Sequence, residues 1–142
     1  MKVSARNIFE GQVRELTLGA VNVEVSLDIG GGDTIVAIVT RNSVTSLGLA
    51  VGKPAVAIVK APWVMVLGED APIRFSARNR LGGTVSAIQH GAINSEVSIR
   101  LPGGSEVHAV ITNEAVAELG LAPGKPASAL IKASHVILGV RD

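Results

Sequence analysis

Residues 46–61 read SLGLAVGKPAVAIVKA, and residues 118–133 read ELGLAPGKPASALIKA. The second stretch follows the first at an offset of 72 positions. The same offset links GAVNVEVSL at 19–27 with GAINSEVSI at 91–99. Because the offset never changes, the two halves align without a gap, and the chain is one structural unit written twice.

The join between the copies falls near GEDAP at 68–72, where charge, glycine and proline interrupt the apolar pattern. We therefore predict two domains, residues 1–70 and 71–142. A unit of about 70 residues buries little surface and is only marginally stable alone. We expect the two halves to associate, and the chain to form oligomers.

The periodicity inside one unit is mostly that of β-strands. Residues 21–29, VNVEVSLDI, alternate apolar with polar side chains, and GGGD at 30–33 reads as a turn. Residues 3–18 read as a long first strand, with a bulge or bend at Gly11 and at its counterpart Gly83. The segment from Thr40 to Gly52 instead has the cap and stop signals of a short helix. Five strands and one short helix per unit predict an all-β fold of two tandem OB-like β-barrel domains.

The composition limits the functional classes. The chain has no cysteine, so it has neither a disulfide framework nor a thiolate metal site. Its net charge is +1 and its aromatic content 2%, whereas nucleic-acid binders usually carry a basic excess and stacking aromatics. No stretch reads as a membrane span or a signal peptide, and we expect a cytoplasmic protein with neither nucleic-acid nor membrane partners.

The usual catalytic patterns are not apparent in the sequence. His90, His108 and His135 have no histidine counterparts in the first half and no paired metal-binding spacing, so we interpret them as solvated or edge-strand residues. Glu24 and Glu96 recur on an alternating strand; they could be a carboxylate pair for acid–base chemistry, but we favour a solvent-facing position or a pairing with Lys or Arg. LGLAVGKP at 47–54 has the wrong spacing for a phosphate-binding loop. We therefore predict no enzyme activity and no cation site.

Several polar residues recur at the same offset although nearby charged positions have diverged. They are Ser4, Arg6, Asn7, Thr40 and Lys60 in the first half, and Ser76, Arg78, Asn79, Thr112 and Lys132 in the second. Nearly all are hydrogen-bond donors, and a helix beginning at Thr40 adds free backbone N–H groups. One Arg and one Lys carry two positive charges, which a small dianion would balance. Donors alone favour a fully deprotonated tetrahedral oxyanion such as sulfate, molybdate or tungstate.

The two halves share, in the same order, the motif SARN, GAVN (GAIN in the second half), a helix-capping threonine and IKA (VKA in the first half). The first half has the helix-capping pattern T..S, whereas in the second half Ala115 stands in place of Ser43. Together these motifs resemble the molbindin (Mop) family in its tandem form. The resemblance covers essentially the whole chain. It implies an OB-like barrel per unit, a homotrimer, and cytoplasmic storage of molybdate or tungstate at subunit interfaces, with no organic cofactor. It also implies a first type of oxyanion site, formed in the two halves by Ser4, Ala5, Arg6, Thr40, Ser43, Lys60 and Ala61, and by Ser76, Ala77, Arg78, Thr112, Lys132 and Ala133.

A second type of oxyanion site is implied near the threefold axis of the trimer. Its residues would be Ala20, Val21, Asn22, Ala92, Ile93 and Asn94. Because Ser43 is replaced by Ala115 in the second half, we expect the two halves to bind unequally, the loss being of order 1–2 kcal/mol for one hydrogen bond to a charged partner.

Two other functions remain open from the sequence. One is an OB-type nucleic-acid-binding module, which the low charge and the scarcity of aromatics disfavour. The other is a regulatory ligand-sensing module, which would bind the oxyanion and signal by contact.

Overall fold

The computed structural model describes residues 1–68 and 72–142 and contains two closely similar β units. The predicted boundary between residues 70 and 71 lies outside the described residues. The elements of the first unit are β1 (Asn7–Leu18), β2 (Asn22–Gly30), β3 (Asp33–Thr40), α1 (Arg41–Leu47), β4 (Pro54–Val59), a 3-10 turn (Ala61–Trp63) and β5 (Met65–Leu67). Those of the second are β6 (Asn79–His90), β7 (Asn94–Arg100), β8 (Glu106–Thr112), α2 (Asn113–Glu118), β9 (Pro126–Ile131), a 3-10 turn (Ala133–His135) and β10 (Ile137–Gly139). The prediction of five strands and one short helix per unit is confirmed.

The two units exchange their last strands. One sheet has the order β10-β4-β1-β2-β3, and the other has the order β5-β9-β6-β7-β8. Strand β10, from the second half, pairs antiparallel with β4 through Leu138 and Ala57. Strand β5, from the first half, pairs in the same way with β9 through Val66 and Ala129. Each of the two OB-like domains is therefore completed by its neighbour, and the expected association of the halves is built into the sheets.

The apolar alternation of the strands places one face of each sheet in a common core. Val23, Val25 and Leu27 of β2 are fully buried, as are Val97 and Ile99 of β7. Burying a side chain of this size contributes about 1.5–3 kcal/mol. A continuous buried cluster draws residues from both units, so they share one hydrophobic core.

A buried asparagine from each unit fastens the edge strand of the other unit. Asn79 accepts the backbone N–H of Val36 (2.7 Å) and donates to the carbonyl of Val36 (2.8 Å). Asn7 makes the same pair of bonds with the backbone of His108, at 2.6 and 2.7 Å. Both asparagines are at least 98% buried. Their amides act as a short extra strand that satisfies an otherwise open sheet edge.

The helix start was predicted correctly, but the helix end was not. The Thr40 side chain accepts the N–H of Ser43, which makes Thr40 the N-cap of α1. Helix α1 ends at Gly48, which has the left-handed conformation of a C-cap (φ 63°). Gly52, the predicted stop, instead lies in the following turn and donates its N–H to Val13 (2.7 Å).

The first strand is shorter than predicted. It begins at Asn7 rather than residue 3, because after Val59 the partner strand β4 gives way to the 3-10 turn Ala61–Trp63 and no longer runs alongside. The β-bulge lies at Arg14, three residues beyond Gly11. Gly11 is needed for a different reason: a Cβ there would collide with the carbonyl oxygen of Asp28 on the neighbouring strand.

Among the described residues, the helices are too short and too polar to cross a lipid bilayer.

Candidate functional site

The predicted serine, arginine and lysine converge at one end of the β1–β4 pair. Asn7 pairs with Val59, so Ser4–Arg6 lead into this rung and Lys60 follows directly from it. In the second unit Asn79 pairs with Ile131, and Ser76–Arg78 and Lys132 have the same relation. Two segments more than 50 residues apart in sequence thus deliver their donors to one place in each unit.

In the second unit this meeting point is a cavity of about 300 Å³. The segments 76–78 and 132–134 line one side of it, with Ser76, Arg78, Lys132 and Ser134 as the polar residues and Ala77 and Ala133 between them; Ile38, Met65, Phe75 and Leu130 complete the lining. The predicted residues Ser76, Ala77, Arg78, Lys132 and Ala133 therefore surround one space. Ile38 and Met65 come from the first half, so the cavity lies between the two units.

Each predicted arginine crosses to the opposite unit and meets a glutamate. Arg6 donates from Nε to Glu96 Oε2 (3.1 Å) and from Nη2 to Glu96 Oε1 (2.8 Å). Arg78 contacts Glu24 across the units in the opposite direction, through Nη1 and Oε1 alone. The hydrogen bond from Arg6 holds the pKa of Glu96 below its ordinary value, and the same bond raises the pKa of Arg6. The sequence predicted that these glutamates face solvent or pair with a neighbouring Lys or Arg; they do pair with arginines, but each partner comes from the other unit, 90 residues away for Glu96 and 54 for Glu24.

The predicted lysines have no such partner. Within the described part of the chain, residues 1–68 and 72–142, neither Lys60 nor Lys132 forms an ion pair. Lys60 Nζ lies 5.7 Å from the ring centroid of Trp63, a cation–π distance, and Trp63 packs on His135 at 5.2 Å. Each site thus combines one paired arginine with one lysine.

The predicted threonines lie at the far end of their own sheets. Thr40 pairs with Asn22 at the start of β2, next to the end of β1, whereas Arg6 precedes the start of β1. Thr112 pairs with Asn94 in the same manner. Within one unit the structure therefore separates Thr40 and Ser43 from Arg6, Lys60 and Ala61.

The opposite unit brings an arginine towards each threonine. Glu24, the partner of Arg78, is two residues from Asn22, the strand neighbour of Thr40. Two residues along a strand span about 7 Å. A helix N-terminus with its Thr40 cap thus stands close to the arginine and lysine of the other half. Thr112 has the same relation to Arg6. The partner of Arg6, Glu96, lies two residues from Asn94, which pairs with Thr112 between β7 and β8.

The serine that distinguishes the halves is in the expected place. Thr40 Oγ1 lies 2.9 Å from Ser43 Oγ, so α1 begins with two adjacent hydroxyls. Thr112 caps α2 by accepting the N–H of Ala115 (3.1 Å), and Ala115 offers no hydroxyl. Because Thr40 lies close to Glu24, the partner of Arg78, and at the opposite end of its own sheet from Arg6, the additional hydroxyl belongs to the surface that includes Arg78.

The residues of the second predicted site type form exposed turns beside the helix starts. Val21 and Ile93 are 71% and 74% exposed. The carbonyl of Val21 accepts the N–H of Arg41 (3.0 Å), and that of Ile93 accepts the N–H of Asn113 (2.8 Å). Ala20, Asn22, Ala92 and Asn94 are also exposed. The turns present apolar tips and small residues to solvent.

His108 and His90 contact polar side chains of their own unit, whereas His135 packs on Trp63 of the other unit. His108 Nδ1 lies 2.8 Å from Ser98 Oγ and 3.5 Å from Glu96 Oε1. His90 Nδ1 lies 3.0 Å from Ser95 Oγ. In the described part of the chain, no three His, Cys, Asp or Glu side chains gather as a metal site would require.

Comparison with known proteins places this arrangement in a family. The sequence pattern of the TOBE domain matches twice, at residues 3–66 and 76–138. The chain belongs to the TOBE-domain family. A solved structure of the cytoplasmic molybdate-binding protein ModG, with molybdate bound, is 57% identical, with a TM-score of 0.95 over 99% of this chain and 100% of that one.

Curated relatives include the molybdenum-pterin-binding protein MopA of Rhodobacter capsulatus, 45% identical over 99% of this chain and 53% of its own length. The molybdenum transport protein ModE of Azotobacter vinelandii is 43% identical over 99% of this chain and 52% of its own length. The chain thus spans about half the length of these curated relatives. A probable molybdenum-pterin-binding protein of Haemophilus influenzae is 48% identical over 46% of this chain and 96% of its own length, and it corresponds to a single unit.

Proposed function

We propose that this TOBE-family protein binds molybdate or tungstate without catalysing a reaction. The observation that carries the proposal is the convergence of Ser76, Ala77, Arg78 and Lys132 around one cavity between the units. Arginine and lysine supply the charge for a tetrahedral dianion, and the serine hydroxyl and backbone N–H groups supply further donors. The molybdate carried by the similar ModG structure supports this choice of anion.

The assembly around the site is part of the proposal. Oxyanions would be held where copies of the chain meet, in a homotrimer, with a second type of site at the exposed turns of Val21 and Ile93. These apolar tips and Leu18, which is 64% exposed, suit an interface between copies. The protein would store and buffer the oxyanion in the cytoplasm, and native mass spectrometry with and without molybdate would measure its oligomeric state and occupancy together.

The direct test of binding is equilibrium dialysis with sodium molybdate, followed by metal analysis. We expect Arg6→Ala with Arg78→Ala to abolish the first site type, because each site loses its only bidentate donor. The matched control is Arg14→Ala with Arg100→Ala, two exposed arginines outside the site, which should retain molybdate. Equal retention by both double variants would refute the proposed site, as would wild-type protein that retains no molybdate at micromolar concentration.

A second candidate function is suggested by the relatives about twice as long as this chain, among them a DNA-binding regulator named ModE in Escherichia coli. In that case the two units would be the ligand-sensing part of a regulatory system. Nucleic-acid binding by the units themselves is disfavoured by the net charge of +1. A gel shift of this chain with DNA that disappears in moderate salt would favour direct binding.

A further inference from the structure

Glu24 and Glu96 are absent from the donor set described above, yet they hold its arginines. Glu96 takes the Nε and Nη2 donors of Arg6 on two separate oxygens. This edge of the guanidinium is the two-point fork that a tetrahedral oxyanion also uses. A carboxylate of the protein thus accepts the arginine hydrogen bonds that an oxyanion would need.

We propose, on the basis of the proposed oxyanion binding, that Glu24 and Glu96 are built-in competitors of the bound anion. Each carboxylate pairs with the arginine of the opposite unit when the anion is absent. The arginine turns from the carboxylate to the anion on binding and returns on release. The two glutamates thereby determine the affinity of the site and provide a route for release.

Burial shows which partner can move. The side chains of Arg6 and Arg78 are 60% and 54% exposed, whereas those of Glu96 and Glu24 are 22% and 25% exposed. Glu96 and Glu24 stand on β7 and β2, which have a neighbouring strand on each side, whereas Arg6 and Arg78 lie on the segments that lead into β1 and β6. The carboxylates are therefore the fixed members of each pair, and the arginines are the members able to reorient.

Charge gives the sign of the effect. An arginine and a lysine alone would present two positive charges to the guest. The nearby carboxylate reduces this to one, and it also repels a dianion. Removing the carboxylate charge while keeping the shape of the side chain should therefore tighten binding.

The two competitors are unequal. Glu96 bonds Arg6 at two points, and the His108 ring, itself bonded to Ser98, lies 3.5 Å from Oε1 of Glu96. Glu24 contacts Arg78 through one guanidinium nitrogen, Nη1. Val36 stands where the other unit has His108. The site that includes Arg78 should therefore release its arginine more readily and fill first.

The test is a calorimetric titration of the full chain with sodium molybdate. We expect Glu96→Gln to tighten the weaker class of sites about tenfold, since one unit charge close to a dianion changes binding by roughly that factor. Glu24→Gln should have a smaller effect in the same direction. Glu96→Asp, which keeps the charge but draws it back from Arg6, should give an intermediate gain and serves as a second variant if Glu96→Gln folds poorly.

The matched control is Glu10→Gln. Glu10 forms a comparable exposed pair with Arg141 (Nε to Oε1, 3.1 Å) away from the cavity, so its loss should leave molybdate affinity unchanged. Unchanged or weaker binding by both Glu96 variants, with normal binding by wild type, would overturn this inference and leave the proposed function intact. Absence of molybdate binding by wild type would overturn both.

Discussion

At the scale of single residues, the repeated SARN segment serves two purposes. Its arginine reaches a carboxylate of the other unit, whereas its asparagine is buried and bonds the backbone of an edge strand. The sequence analysis grouped Asn7 with the other donors, because the residue type alone does not tell an asparagine that binds an anion from one that bonds the edge of a strand. Only burial separates these roles, and burial depends on the fold of the other unit.

The asparagine contacts predict a large loss of stability on substitution. Asn79→Leu keeps the approximate volume but leaves the N–H and carbonyl of Val36 without partners. Each unsatisfied buried group costs about 1–3 kcal/mol, so we expect unfolding in urea to show a loss of about 2–5 kcal/mol. Asn42→Leu, at an exposed position on α1, should change stability by less than about 0.5 kcal/mol. A loss of similar size in both variants would contradict the role assigned to Asn79.

The Arg6–Glu96 pair predicts a pH dependence of stability. Since Arg6 holds the pKa of Glu96 below its ordinary value of about 4.5, the pair stabilises the fold above that value. This contribution is lost as the pH falls through the lowered pKa of the folded protein. We expect the melting temperature of Glu96→Gln to fall less than that of wild type between pH 6 and the acid limit of folding.

A second substitution checks the origin of that effect. Arg6→Gln should reduce the pH dependence in the same way, and the double variant should show no further reduction, because both changes remove one interaction. Additive reductions measured by calorimetry would mean that Glu96 titrates against a different partner.

At the scale of the elements, the sequence predicted the strands and helix starts well. Alternation in β2 and the Thr40 and Thr112 caps are local signals, and local signals survive folding. The strand exchange was not predictable in this way. Alternation shows which face of a strand is buried, but a strand of three residues such as β10 has too few contacts of its own to specify its sheet. The Arg6–Glu96 pairing was missed for the same reason, since it depends on how the units are placed.

The exchange of β5 and β10 predicts which sheet a core substitution will destabilise. Leu138 belongs to the second copy of the repeat but lies buried against the first sheet, through the pairing of β10 with β4. Leu138→Ala should cost about 2–5 kcal/mol and should increase amide exchange in β4 more than in β9. Val66→Ala, the equivalent change in β5, should weaken β9 instead. If Leu138→Ala loosens β9 and spares β4, the exchange is wrong.

At the scale of the whole molecule, the two units form one interlocked body. Exchanged strands, reciprocal asparagines and reciprocal arginine–glutamate pairs all join the same two halves. The cavity with Arg78 draws on both units, so the proposed site needs the tandem chain as a whole. The repeat in the sequence therefore marks two copies of a unit, and neither copy is complete by itself.

The strand exchange also determines how long an early strand of the newly synthesised chain remains unpaired. Strand β4 leaves the ribosome about 80 residues before β10, and at 5–20 residues per second its outer edge waits roughly 4–16 s for its partner. Unpaired edges invite pairing with other chains. The same exchange that unites the folded units thus leaves the nascent chain open to aggregation until β10 emerges.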